Sequence, residues 1–313
     1  MILYILKRIG ASVATLLLVI CITFFVMNAI PGSPFITENS TEQQVEQANA
    51  KYGLDQPLIV QLKNYLVGYL HGDMGVSLKM QQGYPVTTII FSQNKFELSV
   101  RIGLLSLLTA VIIGIPLGVL SAYKRGKWLD GFLSVVTTLG IAIPGFVVAT
   151  LMLILFAVQL HWLPVISGTL DDWKTYIMPV VSIALYPACY VAKLTRTSML
   201  DEINKDYIRT ANAKGVVSKV VLFKHALRNS LIPVITYLGP LTAGIMTGNF
   251  VVETTFGIPG LGKYLVSSIV NRDYPLIMGV TIILAALIII MNLVVDIVYV
   301  VIDPRISLAS KGE

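Results

Sequence analysis

Few residues of this 313-residue chain have the types and spacing that chemistry requires. The three histidines, His71, His161 and His225, fall in three separate polar stretches, and no two share metal-ligand spacing. No nucleophile elbow and no pair of acids within one apolar run is found. The nearest approach to a reactive motif is Gly257-Ile258-Pro259-Gly260-Leu261-Gly262-Lys263-Tyr264. It has the two glycines and the lysine of a phosphate-binding loop, but Tyr264 stands where a magnesium-binding Ser or Thr is required. No βαβ context surrounds it, and the orientation derived below puts it outside the cell. It is therefore read as a tight external turn or re-entrant segment. The expectation is a chain with no catalytic residue, no metal and no bound cofactor of its own.

The elements that must position any function are membrane helices. Hydrophobic residues make up 55% of the chain and charged residues 13%, against about 25% charged in average soluble domains. The mean hydropathy of +0.78 agrees. Crossing a bilayer takes about 20 apolar residues, and six stretches qualify: 9–30, 102–122, 131–158, 177–192, 230–252 and 275–302. The sequence thus predicts an all-α membrane protein with six transmembrane helices. The first stretch starts at Lys7-Arg8 but is too long for a signal peptide, so it is kept as an anchor.

Orientation follows from Lys and Arg in the short flanks. One side collects Lys7, Arg8, Lys124, Arg125, Lys127, the basic residues of 193–229, Arg305 and Lys311. The other short loops hold only Lys174, Lys263 and Arg272. The basic side is cytoplasmic, so both termini are placed inside. The net charge of +6 is this topology signal and not a nucleic-acid site. Cys21 and Cys189 both fall within predicted spans and are read as packing thiols.

Four regions follow: a first transmembrane helix (1–30), an extracytoplasmic insertion (31–97), a core (98–303) with a cytoplasmic loop at 193–229, and a cytoplasmic tail (304–313). In the insertion, Leu58, Leu62, Tyr65, Leu66 and Tyr69 recur at helical spacing over 58–70, which suits a helix lying on the membrane or on a neighbour. In the second span, Ser106, Ala110, Gly114 and Gly118 recur every four residues and form a groove that lets another backbone approach closely. Packing within the subunit or a seam between subunits would both use it. Pro144-Gly145, Pro179, Pro187 and Gly239-Pro240 interrupt the third, fourth and fifth spans, a pattern that favours a transport path over a simple anchor. Asp296 lies in the inner part of the sixth span and Glu253 at the outer end of the fifth, so no midplane charge offers proton or sodium coupling.

What remains is the polar run Asp206-Tyr207-Ile208-Arg209-Thr210-Ala211-Asn212-Ala213-Lys214-Gly215. Asp206 is expected to cap a helix of about two turns, and Gly215 to end it as the C′ residue. So short a helix is marginal alone and must dock on something. The stretch 216–229 alternates apolar and basic residues and returns to the fifth span.

Thr210-Ala211, Gly215 four residues on, and then Leu231-Ile232-Pro233 resemble the cytoplasmic "EAA" loop of ABC importer permeases. Arg209 replaces the usual glutamate, and the glycine-to-proline distance is longer. Both departures resemble the oligopeptide/dipeptide/nickel subfamily, as do His225-Ala226-Leu227-Arg228-Asn229, Pro31-Gly32-Ser33-Pro34 and Tyr52-Gly53-Leu54-Asp55-Gln56-Pro57. So do Gly72-Asp73-Met74-Gly75-Val76-Ser77, Val251-Val252-Glu253 with Phe256 and Pro259-Gly260-Leu261-Gly262, and Asp303-Pro304-Arg305. Ser33 stands where many relatives have Asp.

The resemblance covers nearly the whole chain and is to the first (B-type) permease of such systems. It implies a non-catalytic subunit in the bacterial cytoplasmic membrane, paired with a second homologous permease. Two ATPase subunits would bind ATP and magnesium, and an extracytoplasmic binding protein would deliver peptide. Tyr207, Ile208, Arg209, Thr210, Ala211, Lys214 and Gly215 would contact an ATPase, supported by His225, Arg228, Asn229 and Pro233. Glu253, Phe256, Pro259, Gly260 and Gly262 would serve the binding protein or outer gate. A nickel or metal–metallophore importer is the nearest alternative, and an ion-coupled carrier the more distant one.

Overall fold

The computed structural model describes residues 2–29, 35, 42–164, 172–217 and 220–302. The expectations for 31–34, Lys219 and 303–313 lie outside the described residues, as do the side chains of His225 and Asp296. The described elements are helices, joined by turns and one isolated bridge, Val76 with Pro85. Five helices are long and apolar enough to cross a membrane, and six spans result if one bent pair is counted as a span.

The chain divides into two compact units, 1–98 with 259–290 and 99–258 with 291–313. The first unit begins with α1 (Ile2–Ala29), followed by α2 (Glu42–Lys51) and α3 (Leu58–Leu70). The range of α3 is the one read from its apolar spacing. Leu62, Tyr65, Leu66 and Tyr69 turn toward a cluster built from Phe24 and Met27 of α1 and from Tyr274, Ile277 and Met278. Gln61, also buried, donates to the Leu54 and Gln56 carbonyls and so closes the turn before α3. Burial and the neighbouring Asp273 carboxylate both push the Tyr65 phenol up.

The second unit carries most of α4 (Lys95–Tyr123), then α5 (Trp128–Ala142) and α6 (Gly145–Met152), which runs on as a π-helical turn to Gln159. The break at Pro144 is real, since the two halves meet at 97°. Next come α7 (Lys174–Ile203) and α8 (Asp206–Ala213). A π turn over Val221–Ala226 leads directly into α9 (Leu227–Met246), and α10 (Phe250–Thr255) follows. In the first unit, α11 (Leu261–Val270) precedes α12 (Tyr274–Ile302), which leaves that unit at Ile290.

Three expectations change here. Pro179 and Pro187 lie inside an unbroken α7, and Pro240 inside an unbroken α9. Membrane helices keep proline by satisfying the freed carbonyl locally, so these residues do not break the spans. The fifth span ends earlier than residue 252: α9 stops at Met246, and Asn249 caps α10 by accepting from the Val252 amide at 3.0 Å. The fourth helix is also far longer than 177–192. Its 30 residues give about 45 Å, against a hydrocarbon core of about 30 Å. Lys193, Arg196, Asp201 and Glu202 place the excess length at its polar C-terminal end.

Candidate functional site

The polar run at 206–215 hangs from the end of α7. Lys205, extended at φ −75° and ψ 153°, is the N-cap of α8, with no side-chain capping bond. Asp206 is thus the first helical residue and not the cap, a correction of one position. There it still favours the helix electrostatically, because a carboxylate in the first turn faces the positive end of the helix dipole. At the other end Gly215 has φ +75°, as expected of C′. Its N–H donates to the Asn212 carbonyl at 3.0 Å, and the Val216 N–H to the Ala211 carbonyl at 3.2 Å. These two bonds make a complete Schellman motif.

What α8 docks on is its own chain. Ile208 is 1% exposed and packs with Val221 and Ala226 of the π turn, alongside Ala211 and Val216. Burying one isoleucine is worth roughly 1.5–3 kcal/mol, which offsets much of the nucleation cost that leaves an eight-residue helix marginal in isolation. Ile208 is therefore the seat of the helix, and Ala211 is half-buried beside it. Tyr207, Arg209, Thr210, Asn212, Ala213 and Lys214 are exposed.

A polar tie completes the seat. Glu202 at the end of α7 accepts from Lys205 Nζ at 2.5 Å and from Tyr207 Oη at 2.5 Å. Asn229 Nδ2 in turn donates to Tyr207 Oη at 3.0 Å. The carboxylate raises the Lys205 ammonium pKa, and partial burial together with the bond to Glu202 raises that of the Tyr207 phenol. Asn229 thus lies where support for α8 is needed. Arg228 and Pro233 sit exposed on the first two turns of α9. The Arg209–Asp206 pair at 3.5 Å is fully solvated and worth little.

Higher on α7, Arg196 forms a two-pronged bond to Asp130, Nε to Oδ1 at 2.7 Å and Nη2 to Oδ2 at 2.9 Å. Ser121 Oγ and the Gly126 N–H complete the shell of this buried carboxylate. The α4–α5 turn is thereby pinned to the helix that carries α8. Sequence reasoning misses this pair: Asp130 stands just outside the third predicted span, and 66 residues separate the partners.

The small-residue face of α4 packs inside the subunit. Ser106 Oγ donates to the carbonyls of Ile102 at 2.8 Å and, across the seam, of Val180 at 3.3 Å, and Ala110 is fully buried. A Cβ on Gly114 would lie 2.6 Å from the Ala188 carbonyl oxygen, and one on Gly118 would lie 2.5 Å from that of Ala192.

The residues expected at the outer gate are mostly enclosed. In the second unit, Glu253 is 2% exposed and accepts from Ser99 Oγ at 2.7 Å, while Phe256 packs with Met178 and Ala149. In the first unit, Gly260 is the N-cap of α11, Gly262 is buried and Pro259 is exposed. The near-Walker segment thus joins two helices, and among the described residues no strand precedes it.

Residues 114–308 match the family model of the binding-protein-dependent transport system inner membrane component. Residues 1–100 match the N-terminal model of the same transport system membrane component. The chain belongs to the binding-protein-dependent transport system inner membrane component family. Among the curated relatives of this family member, the dipeptide transport system permease protein DppB of Bacillus subtilis is 43% identical, with 99% of both chains covered. The oligopeptide transport system permease protein OppB of Salmonella typhimurium is 39% identical over 97% of this chain and 98% of its own. DppB of Lactococcus lactis is 38% identical over 98% and 100%. The core match runs from within α4 through α12 and so takes in the Asp130–Arg196 pin, α8 and its seat. The N-terminal match ends at residue 100 and the core match begins at residue 114, both within α4.

Proposed function

We propose that this inner membrane component is the permease subunit of an ATP-driven importer and forms half of the path for dipeptides or oligopeptides. An extracytoplasmic binding protein delivers the peptide, a second homologous permease completes the path, and two ATPase subunits bind ATP and magnesium. This chain is itself non-catalytic, with both termini cytoplasmic. The observation that carries the reading is the end-to-end similarity to dipeptide and oligopeptide permeases. The geometry of α8 supports it, for a short helix seated through Ile208 presents a solvated face below a membrane helix.

In this reading Tyr207, Arg209, Thr210 and Lys214 meet the ATPase subunit, Ile208 and Gly215 hold the helix in shape, and Asn229 braces it. Pro259 and the external insertion meet the binding protein. Glu253 and Phe256 serve the outer gate as interior struts. Single cysteines at Arg209, Thr210 and Lys214, in the assembled complex, are expected to cross-link to an ATPase subunit through a short bifunctional reagent. A cysteine at Val270, 76% exposed at the end of α11, is expected to give no such product. Equal cross-linking from Val270, or none from the three α8 positions, would refute the assignment.

A further inference from the structure

Asp273 is fully buried, and its carboxylate gathers four donors from one short stretch of the external insertion. Ser77 Oγ donates to Oδ2 at 2.5 Å, the Leu78 N–H to Oδ1 at 3.0 Å, and the Lys79 and Met80 N–H groups to Oδ2 at 3.1 and 2.9 Å. Three successive amides aimed at one acceptor make an anion nest, and bonds to a charged acceptor are the strong ones. Ser77 extends the lock, since its Oγ accepts from the Gln81 N–H at 2.9 Å and its backbone pairs with Tyr84 and Gly83. The Asp273 carbonyl meanwhile accepts from the Ile277 N–H at 2.8 Å. One residue thus opens α12 with its backbone and grips the insertion with its side chain.

Apolar contacts flank this grip. Leu78 packs with Tyr274 and Ile277, and Val86, Ile89 and Ile90 pack with Leu276, Val280 and Leu284. Val86 comes so close to α12 that a Cβ on Gly279 would lie 2.5 Å from its Cγ1. Apolar burial attaches the insertion, and the seat of Val86 on Gly279 keys it, but the hydrophobic effect itself is non-directional. Hydrogen bonds lose strength steeply with angle. Four of them converging on one carboxylate forbid sliding.

We propose that Asp273 is a positioning residue that makes the external insertion and the outer end of α12 move as one piece. Docking of the binding protein on the insertion then reaches a membrane helix directly. This inference rests on the importer reading above. In Asp273→Asn, an amide NH2 replaces one acceptor oxygen and confronts the backbone donors, while side-chain size is kept.

The test uses the complete permease–ATPase complex in nanodiscs, with its binding protein loaded with dialanine. Basal ATPase activity of Asp273→Asn is expected to match the unmodified complex, while stimulation by the loaded binding protein falls about tenfold. Ser77→Ala removes one donor of the four, keeps the carboxylate and serves where Asp273→Asn does not assemble; it is expected to lower stimulation about threefold with basal activity unchanged. Unchanged stimulation in both variants would overturn the proposal. So would a proportional fall of basal and stimulated activity, which a merely structural role produces. An unmodified complex that no loaded binding protein stimulates would instead sink the importer reading.

Discussion

Replacing Gly215 with valine is expected to lower peptide uptake about tenfold or more while leaving the subunit in the membrane. The cause is the backbone and not bulk. Gly215 has φ +75°, and a Cβ placed there would meet nothing within 4 Å. A left-handed conformation costs an ordinary L-residue about 1–2 kcal/mol, and a β-branched residue there is a genuine outlier. The Schellman bonds from Gly215 and Val216 would be lost first, and with them the last turn of α8. Asparagine, which visits this conformation more readily, is expected to retain most of the activity. Peptide-dependent growth, scored beside the amount of subunit in the membrane, separates the cases. Equal impairment by valine and asparagine would show that bulk matters after all, and normal growth with valine would remove Gly215 from the account.

Gly118→Leu is expected to have an equally large effect of another kind, loss of the folded subunit. A Cβ at 118 would lie 2.5 Å from the Ala192 carbonyl oxygen and 2.6 Å from Thr195 Cβ. Overpacking usually costs about 1–3 kcal/mol. Here the obstacle is backbone, so α4 and α7 must separate and no side-chain change on α7 can make room. Gly140 supplies the contrast. A Cβ there would collide with Cys189 Sγ but lie 3.3 Å from Cys189 Cβ. Gly140→Ala is therefore expected to be rescued by Cys189→Ala, whereas Gly118→Leu is not rescued by Thr195→Ala. Size-exclusion profiles of the detergent-extracted complex would read both pairs.

The parts legible in the sequence are those set by local pattern. The helix at 58–70, the small-residue face of α4, the break at Pro144 and the glycine ending α8 follow from spacing or backbone preference alone. Pro179, Pro187 and Pro240 mislead because a proline's local cost says nothing of the neighbours that offset it. The role of Ile208 was hidden for a related reason. In eight residues several faces could be buried, and the π turn at 221–226 decides which one. The three buried carboxylates among the described residues, Asp130, Glu253 and Asp273, are further still from view. Asp130 and Arg196 lie 66 residues apart, and Asp273 and Ser77 lie 196 apart. Glu253 is likewise held inside by Ser99, 154 residues earlier, a partner that local pattern does not reveal.

The central claim is that this chain moves peptide only when partner ATPases drive it. Uptake of labelled dialanine into proteoliposomes, with nucleotide on the ATPase side and ion gradients set independently, tests it most directly. The expected result is uptake that needs both ATP and loaded binding protein, persists when proton and sodium gradients are collapsed, and falls about tenfold in Gly215→Val, as the backbone cost implies. Gradient-driven uptake by this chain without ATPase subunits would contradict it.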